Sequence, residues 1–82
     1  MIQVKVSLYY HLRQKAGVGS LEFPMPESAT ILDLKRTLEG QFPSLRTHLD
    51  NIMILMNKRI VLDEDRLQAD AEVAFLTPVG GG

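Results

Sequence analysis

The group best placed to do unusual chemistry in this chain belongs to the main chain. The sequence ends Pro78-Val79-Gly80-Gly81-Gly82, so three of its six glycines occupy the last three positions. Glycine buries no side chain and loses more backbone freedom on ordering than any other residue, so such a run adds nothing to the stability of a fold. It does allow main chain to enter a slot too narrow for any Cβ, with a free carboxylate at its tip. A carboxylate is ionised at neutral pH and is a poor electrophile. It reacts once activated, most commonly as an acyl adenylate made from ATP. Thr77 to Gly82 can extend about 20 Å at roughly 3.3–3.6 Å per residue, enough to reach deep into another protein. The competing reading of the same residues is a loose chain end without chemistry.

The remaining side chains offer little else. Cysteine is absent, which excludes disulfides, thiolate metal sites and cysteine nucleophiles. His11 and His48 lie far apart with no accompanying ligand motif, and no metal site is expected. There is no phosphate-cradling glycine loop ahead of a helix and no recognisable nucleophile-base motif. Nine basic and ten acidic residues give a net charge of −1 without a basic stripe, so nucleic acid is not an expected partner. The longest apolar run is far short of a membrane span, so no membrane partner is expected, and a cysteine-free sequence without a recognisable signal peptide fits an expected cytoplasmic location. Asp63-Glu64-Asp65 reads as solvated loop surface.

The elements that must carry the tail follow from periodicity. Ile2, Val4, Val6 and Leu8 alternate with Gln3, Lys5, Ser7 and Tyr9, the period of a half-buried strand. His11 to Ala16 reads as a short helical turn stopped by Gly17 and Gly19. A second strand follows through Leu21 and Phe23 and ends at Pro24 and Pro26, because proline cannot donate to a ladder. Thr30 and Asp33 form a capping pair ahead of Ile31, Leu34, Leu38 and Phe42, which recur at helical spacing as one buried stripe. Asp33, Lys35, Arg36 and Glu39 are expected to face water, and Pro43 closes the helix. Ser44 to Asp50 is ambiguous, with a second short helix as one option. Ile52–Met56 and Ile60–Leu62 read as strands around an Asn57-Lys58 turn, and Val73–Leu76 as the last strand.

One helix stripe is buried by laying it across one face of a mixed sheet, giving an α+β domain over residues 1–76 and a flexible tail over 77–82. The other sheet face then lacks a helical cover. With Ile52-Met53-Ile54-Leu55-Met56 apolar on both sides, that face is expected to expose apolar surface and to attract a partner, unless loops cover it.

Three segments carry a family resemblance. Tyr9-Tyr10-His11-Leu12-Arg13-Gln14-Lys15-Ala16-Gly17 resembles the F-A-x-L-R-E-x-A-G segment of the molybdopterin synthase small subunit, the MoaD family of ubiquitin-like sulfur carriers. Met56-Asn57 with Val61 is similar to that family's V-N-x-x-x-V hairpin, and Glu72 to Gly82 to its E-V-A-F-x-P-P-V-x-G-G ending. The matches span the chain in the family's order. Thr77 departs from the first proline of the ending, Gln14 from the glutamate, and Ala69-Asp70-Ala71 from Asp-Gly-Asp, so Asp70 is expected to take a positive-φ turn position.

The resemblance implies a β-grasp (ubiquitin-like) fold and a subunit that is no enzyme on its own. It implies that Gly82 is adenylated and then thiocarboxylated to supply sulfur for the molybdopterin dithiolene. Gly81 and Gly80 would keep the insertion path free of side chains, and Val79 and Pro78 would stiffen the tail's root. Phe75 and Leu76 would dock the partner, although Phe75 could equally be a core residue, since its strand face is not readable. No permanently bound cofactor is implied, only ATP used by the activating enzyme. The implied partners are a MoaE-type molybdopterin synthase large subunit, a MoeB-type ubiquitin-activating adenylyltransferase and a sulfur donor protein. Rival readings are a carrier for thiamin thiazole, cysteine or transfer-RNA thiolation, a lysine-linked protein modifier, and an interaction domain without chemistry.

Overall fold

The computed structural model describes residues 1–49 and 52–76. Two helices and five strands follow in the order β1 (Ile2–Leu8), α1 (His11–Ala16), β2 (Ser20–Met25), α2 (Ile31–Gln41), a 3₁₀ helix over Pro43–His48, β3 (Met53–Met56), β4 (Arg59–Ile60) and β5 (Glu72–Leu76). The strands form one mixed sheet in the order β2-β1-β5-β3-β4. β5 runs parallel to β1 and antiparallel to β3, so the last of the described strands is the central one. α2 buries Ile31, Leu34 and Leu38 against Val4, Val6 and Leu8 of β1, Phe23 and Met25 of β2, Ile54 and Met56 of β3, and Val73 and Phe75 of β5. This is the expected α+β arrangement, one main helix across one face. Among the described residues no helix is long and apolar enough to cross a membrane.

Local chemistry explains the starts and turns. Thr30 and Asp33 form a full capping box: Thr30 Oγ1 accepts from the Asp33 N–H at 3.3 Å and the Thr30 N–H donates to Asp33 Oδ2 at 2.9 Å. Asn57 and Lys58 both take positive φ in the tight turn between β3 and β4, and Asp70 takes φ 58 as its position in the sequence implies. Pro43 stands at the first turn of the 3₁₀ helix, where a missing N–H costs nothing, so it opens one helix as well as closing another.

Several boundaries differ from the sequence reading. β2 continues through Pro24 to Met25, with Pro24 opposite Gln3. Proline is tolerated there because β2 is a sheet edge, with a free side that needs no donor. β4 is only Arg59–Ile60, and Val61 instead donates its N–H to Ile54 O at 3.0 Å before the chain leaves the sheet. The acidic run has structural work beyond solvation. Asp65 O accepts from Ile31 N at 2.9 Å and Asp63 O from Leu32 N at 3.0 Å, which satisfies two otherwise orphaned amides at the start of α2. Lys35, expected in water, lies over this loop with its side chain 13% exposed and pairs with Asp63 Oδ1 at 3.0 Å.

Candidate functional site: the open sheet face and the root of the tail

Gly82, Gly81, Gly80, Val79 and Pro78 lie outside the described residues, as does the whole segment 77–82. The structure does place the root of that segment. Leu76 ends the central strand, opposite Met53 of β3, and the neighbouring Phe75 O accepts the Tyr9 N–H at 3.2 Å as β1 runs out beside it. A tail rooted in the middle of a sheet has its starting position held by strands on both sides.

Phe75 is not on a docking surface. Side chains alternate along a strand, and Val73 and Phe75 both point to the α2 side, each fully buried at 0% exposure. That same alternation puts Glu72, Ala74 and Leu76 on the opposite, uncovered face. Leu76 is half-buried there.

The uncovered face divides into two chemistries. On β3, β4 and β5 the paired residues are Met53 with Leu76, Leu55 with Ala74, and Leu55 with Ile60. Met53 is 49% exposed and Ile60 69%, so this half presents a contiguous apolar surface beside the tail's root. On β1 and β2 the same face carries Lys5 opposite Glu22 and Ser7 opposite Ser20, which favour water. Lys5 also faces Glu72 across the β1–β5 pairing, at the seam between the halves. The sequence reading found the uncovered face but did not single out Met53 or Ile60. The signal was present in β3, where Met53 and Leu55 occupy the alternate positions to the core residues Ile54 and Met56.

Two exposed aromatics stand at the same end. Tyr9 and Tyr10 follow β1 with ring centroids 6.4 Å apart. Tyr10 has φ 55 and ψ −124, a region essentially reserved for glycine, which costs a side-chain-bearing residue of the order of 1–3 kcal/mol. Sequence reasoning met these tyrosines only inside a motif. Among the described residues no polar or charged side chain is buried, and no group of three metal-binding side chains comes together. What the described residues form here is an exposed apolar surface bordered by the end of β5, after which residues 77–82 follow in the sequence.

Comparison with known proteins bears on what is presented. The sequence pattern of the ThiS family matches residues 6–82. The molybdopterin synthase sulfur carrier subunit of Arabidopsis thaliana is 28% identical over 81 residues, covering 99% of this chain and 84% of that protein. Among solved structures, SAMP1 from Haloferax volcanii superposes with a TM-score of 0.89 at 25% identity, covering 98% of this chain and 99% of the other. Small archaeal modifier protein 1 from Methanosarcina acetivorans gives a TM-score of 0.84 at 27% identity, covering 100% of this chain and 98% of the other. The fold is the ubiquitin-like β-grasp.

Proposed function

The chain belongs to the ThiS family, and from that premise we propose that it is the sulfur-carrying small subunit of a molybdopterin synthase, loaded at Gly82. Its carboxylate oxygen attacks the α-phosphorus of ATP in the active site of a ubiquitin-activating-type adenylyltransferase. Pyrophosphate leaves and an acyl adenylate forms. A sulfide equivalent from a sulfur donor protein then displaces AMP, leaving a thiocarboxylate. The loaded tail enters the large synthase subunit, which uses the sulfur to build the dithiolene. A dithiolene holds two sulfurs, so each cofactor consumes two loaded carriers. The carrier itself is a donor in this scheme, and adenylation requires ATP, which suits a cytoplasmic setting.

One observation carries this reading. β5, the central strand, ends at Leu76, immediately before residues 77–82 in the sequence, on the border of an exposed apolar face. Such a face provides the buried centre on which protein interfaces depend, and the tail provides the reactive group. We assign docking to Met53, Leu55, Ile60 and Leu76. Gly80 and Gly81 leave the insertion path free of side chains, with Val79 and Pro78 stiffening its root. Support comes from the Arabidopsis relative, which bears the name of a molybdopterin synthase sulfur carrier subunit.

The test is reconstitution. Carrier loaded with ATP, activating enzyme and sulfur donor should restore dithiolene formation by a molybdopterin synthase large subunit. Sulfur delivered to a thiazole synthase but not to the molybdopterin precursor would keep the chemistry and overturn the pathway. A second reading, attachment to lysines as a modifier, is favoured by the likeness to small archaeal modifier protein 1. It would appear as a conjugate retaining Gly82 in an isopeptide bond.

A further inference from the structure

Charge is sorted along the strands of this nearly neutral chain. No acidic residue occurs from Tyr9 to Leu21 or from Gly40 to Leu49, while those segments hold Arg13, Lys15 and Arg46 together with His11 and His48. Glu39 is the first carboxylate before the second segment and Asp50 the first after it. The fold brings the two segments together, because α1 packs on the 3₁₀ helix and Ser44 Oγ donates to Lys15 O at 3.2 Å. Arg13, Lys15 and Arg46 are exposed, and the only ion pair among the described residues is Lys35 with Asp63.

Their position matters more than their number. α1 starts just beyond the end of β1, where Tyr9 N–H meets Phe75 O, so the basic segments occupy the end of the sheet from which the tail departs. Asp63, Glu64, Asp65 and Asp70 lie towards the other end, where Asp70 N–H donates to Gln3 O at the start of β1. Subtracting three charges from nine leaves six basic residues against ten acidic, a net of −4 for the rest of the chain. At physiological salt a charge is felt over only about 8 Å, so Arg13, Lys15 and Arg46 act on a protein approaching the tail more strongly than the carboxylates Asp63, Glu64, Asp65 and Asp70 at the other end.

We infer that Arg13, Lys15 and Arg46 form a steering surface for an acidic protein rim surrounding the pocket that takes the tail. This rests on the proposed insertion of the tail: whichever protein accepts Gly82 must bring the rim of its pocket against α1 and the 3₁₀ helix. Complementary charge there raises the rate of productive encounter and turns the carrier tail-first. A nucleic acid fits less well. Three cations are few beside the 6–10 phosphate contacts of a typical nucleic-acid site, and the remaining net of −4 repels a long polyanion. Helix stabilisation, the other use of cations in the last turn of α1, predicts a change in melting temperature and none in association rate.

The experiment compares the full chain with K15E/R46E, and with the neutral K15Q/R46Q to guard against misfolding. Arg13 is left intact because its side chain lies close to Gly19. Association with a molybdopterin synthase large subunit is followed by stopped flow across salt. At low salt K15E/R46E should associate about 10-fold more slowly, with K15Q/R46Q in between, the gap closing at high salt and dissociation unchanged. Association rates equal to the parent's would overturn the inference, as would a loss confined to dissociation. In a second arm a glutamate-rich peptide and a single-stranded RNA are titrated against ¹⁵N-labelled chain. The peptide should shift amides of residues 11–16 and 43–48. A stronger RNA response at those residues, or no peptide response, would overturn the inference. A parent that does not bind the large subunit at all refutes the proposed function, and the peptide arm then decides the steering surface by itself.

Discussion

Asn57 and Glu72 are tied by two main-chain contacts of Glu72, both made to the same asparagine. The Asn57 N–H donates to Glu72 O at 2.8 Å, and Asn57 Oδ1 accepts the Glu72 N–H at 3.0 Å. Asn57 Nδ2 also donates to Gln68 Oε1 at 3.2 Å. The turn between β3 and β4 therefore fixes the start of β5, and with it the register of the strand that bears the tail. Asn57 does this at φ 52, which few side chains accept.

Two substitutions separate these roles. Asn57→Gly keeps the turn conformation and loses the side-chain hydrogen bonds, while Asn57→Ala loses both. Asn57→Ala should cost about 1–3 kcal/mol and Asn57→Gly less, with each kcal/mol read as a fall of about 4–8 °C in melting temperature for a domain of this size. Equal melting temperatures for the two variants would show that the positive φ carries no strain.

How much of this was legible in the sequence depends on whether the cause was local. The α2 stripe and its Thr30–Asp33 box could be read because helical spacing and capping act within a few residues. Phe75 could not be assigned a face, since Ala74 and Leu76 are also apolar and hide the alternation. The passage of β2 through Pro24 depends on β2 being an edge strand, a fact of the whole sheet. The work of the acidic loop was invisible because the atoms that accept from the Ile31 and Leu32 N–H groups are the main-chain carbonyls of Asp65 and Asp63, which any residue possesses. Of the candidate site, the uncovered face was legible and the identities of the exposed residues on it were not, while the glycine tail lies outside the described residues.

Leu34 is fully buried on the stripe of α2 that crosses the sheet. Leu34→Asp places an unpaired charge in the core and should cost more than about 4 kcal/mol, enough to abolish the cooperative melting transition. Parent-like thermal unfolding of this variant would mean that the helix does not pack as described.

Phe75 and Ile60 should respond in opposite ways. Phe75→Ala opens a core cavity and should cost about 3–5 kcal/mol of stability. Ile60→Asp changes an exposed side chain and should move stability by less than about 0.5 kcal/mol, yet weaken binding to the large subunit at least about 10-fold. Calorimetric unfolding and a binding titration on both variants check the contrast. Unimpaired binding by Ile60→Asp would remove the apolar face from the proposed interface.

Shortening the tail should separate chemistry from stability. Removing Gly82 displaces the reactive carboxylate, and Gly81→Val puts a branched side chain in the insertion path. Both should melt with the parent, because neither residue has a side chain to withdraw from the core, and both should abolish dithiolene formation in the reconstituted reaction. Cofactor production by the Gly82 deletion would refute a role for that carboxylate.

The most direct measurement is the intact mass of the chain after incubation with ATP, a ubiquitin-activating-type adenylyltransferase and a sulfur donor. A sulfur carrier loaded at Gly82 gains the mass difference of one oxygen exchanged for sulfur, and fragmentation locates the change in the terminal residue. The gain should require ATP and vanish when Gly82 is deleted. An unchanged mass with an activating enzyme shown to be competent, or a product linked through Gly82 to a lysine in place of the thiocarboxylate, would contradict the sulfur-carrier account.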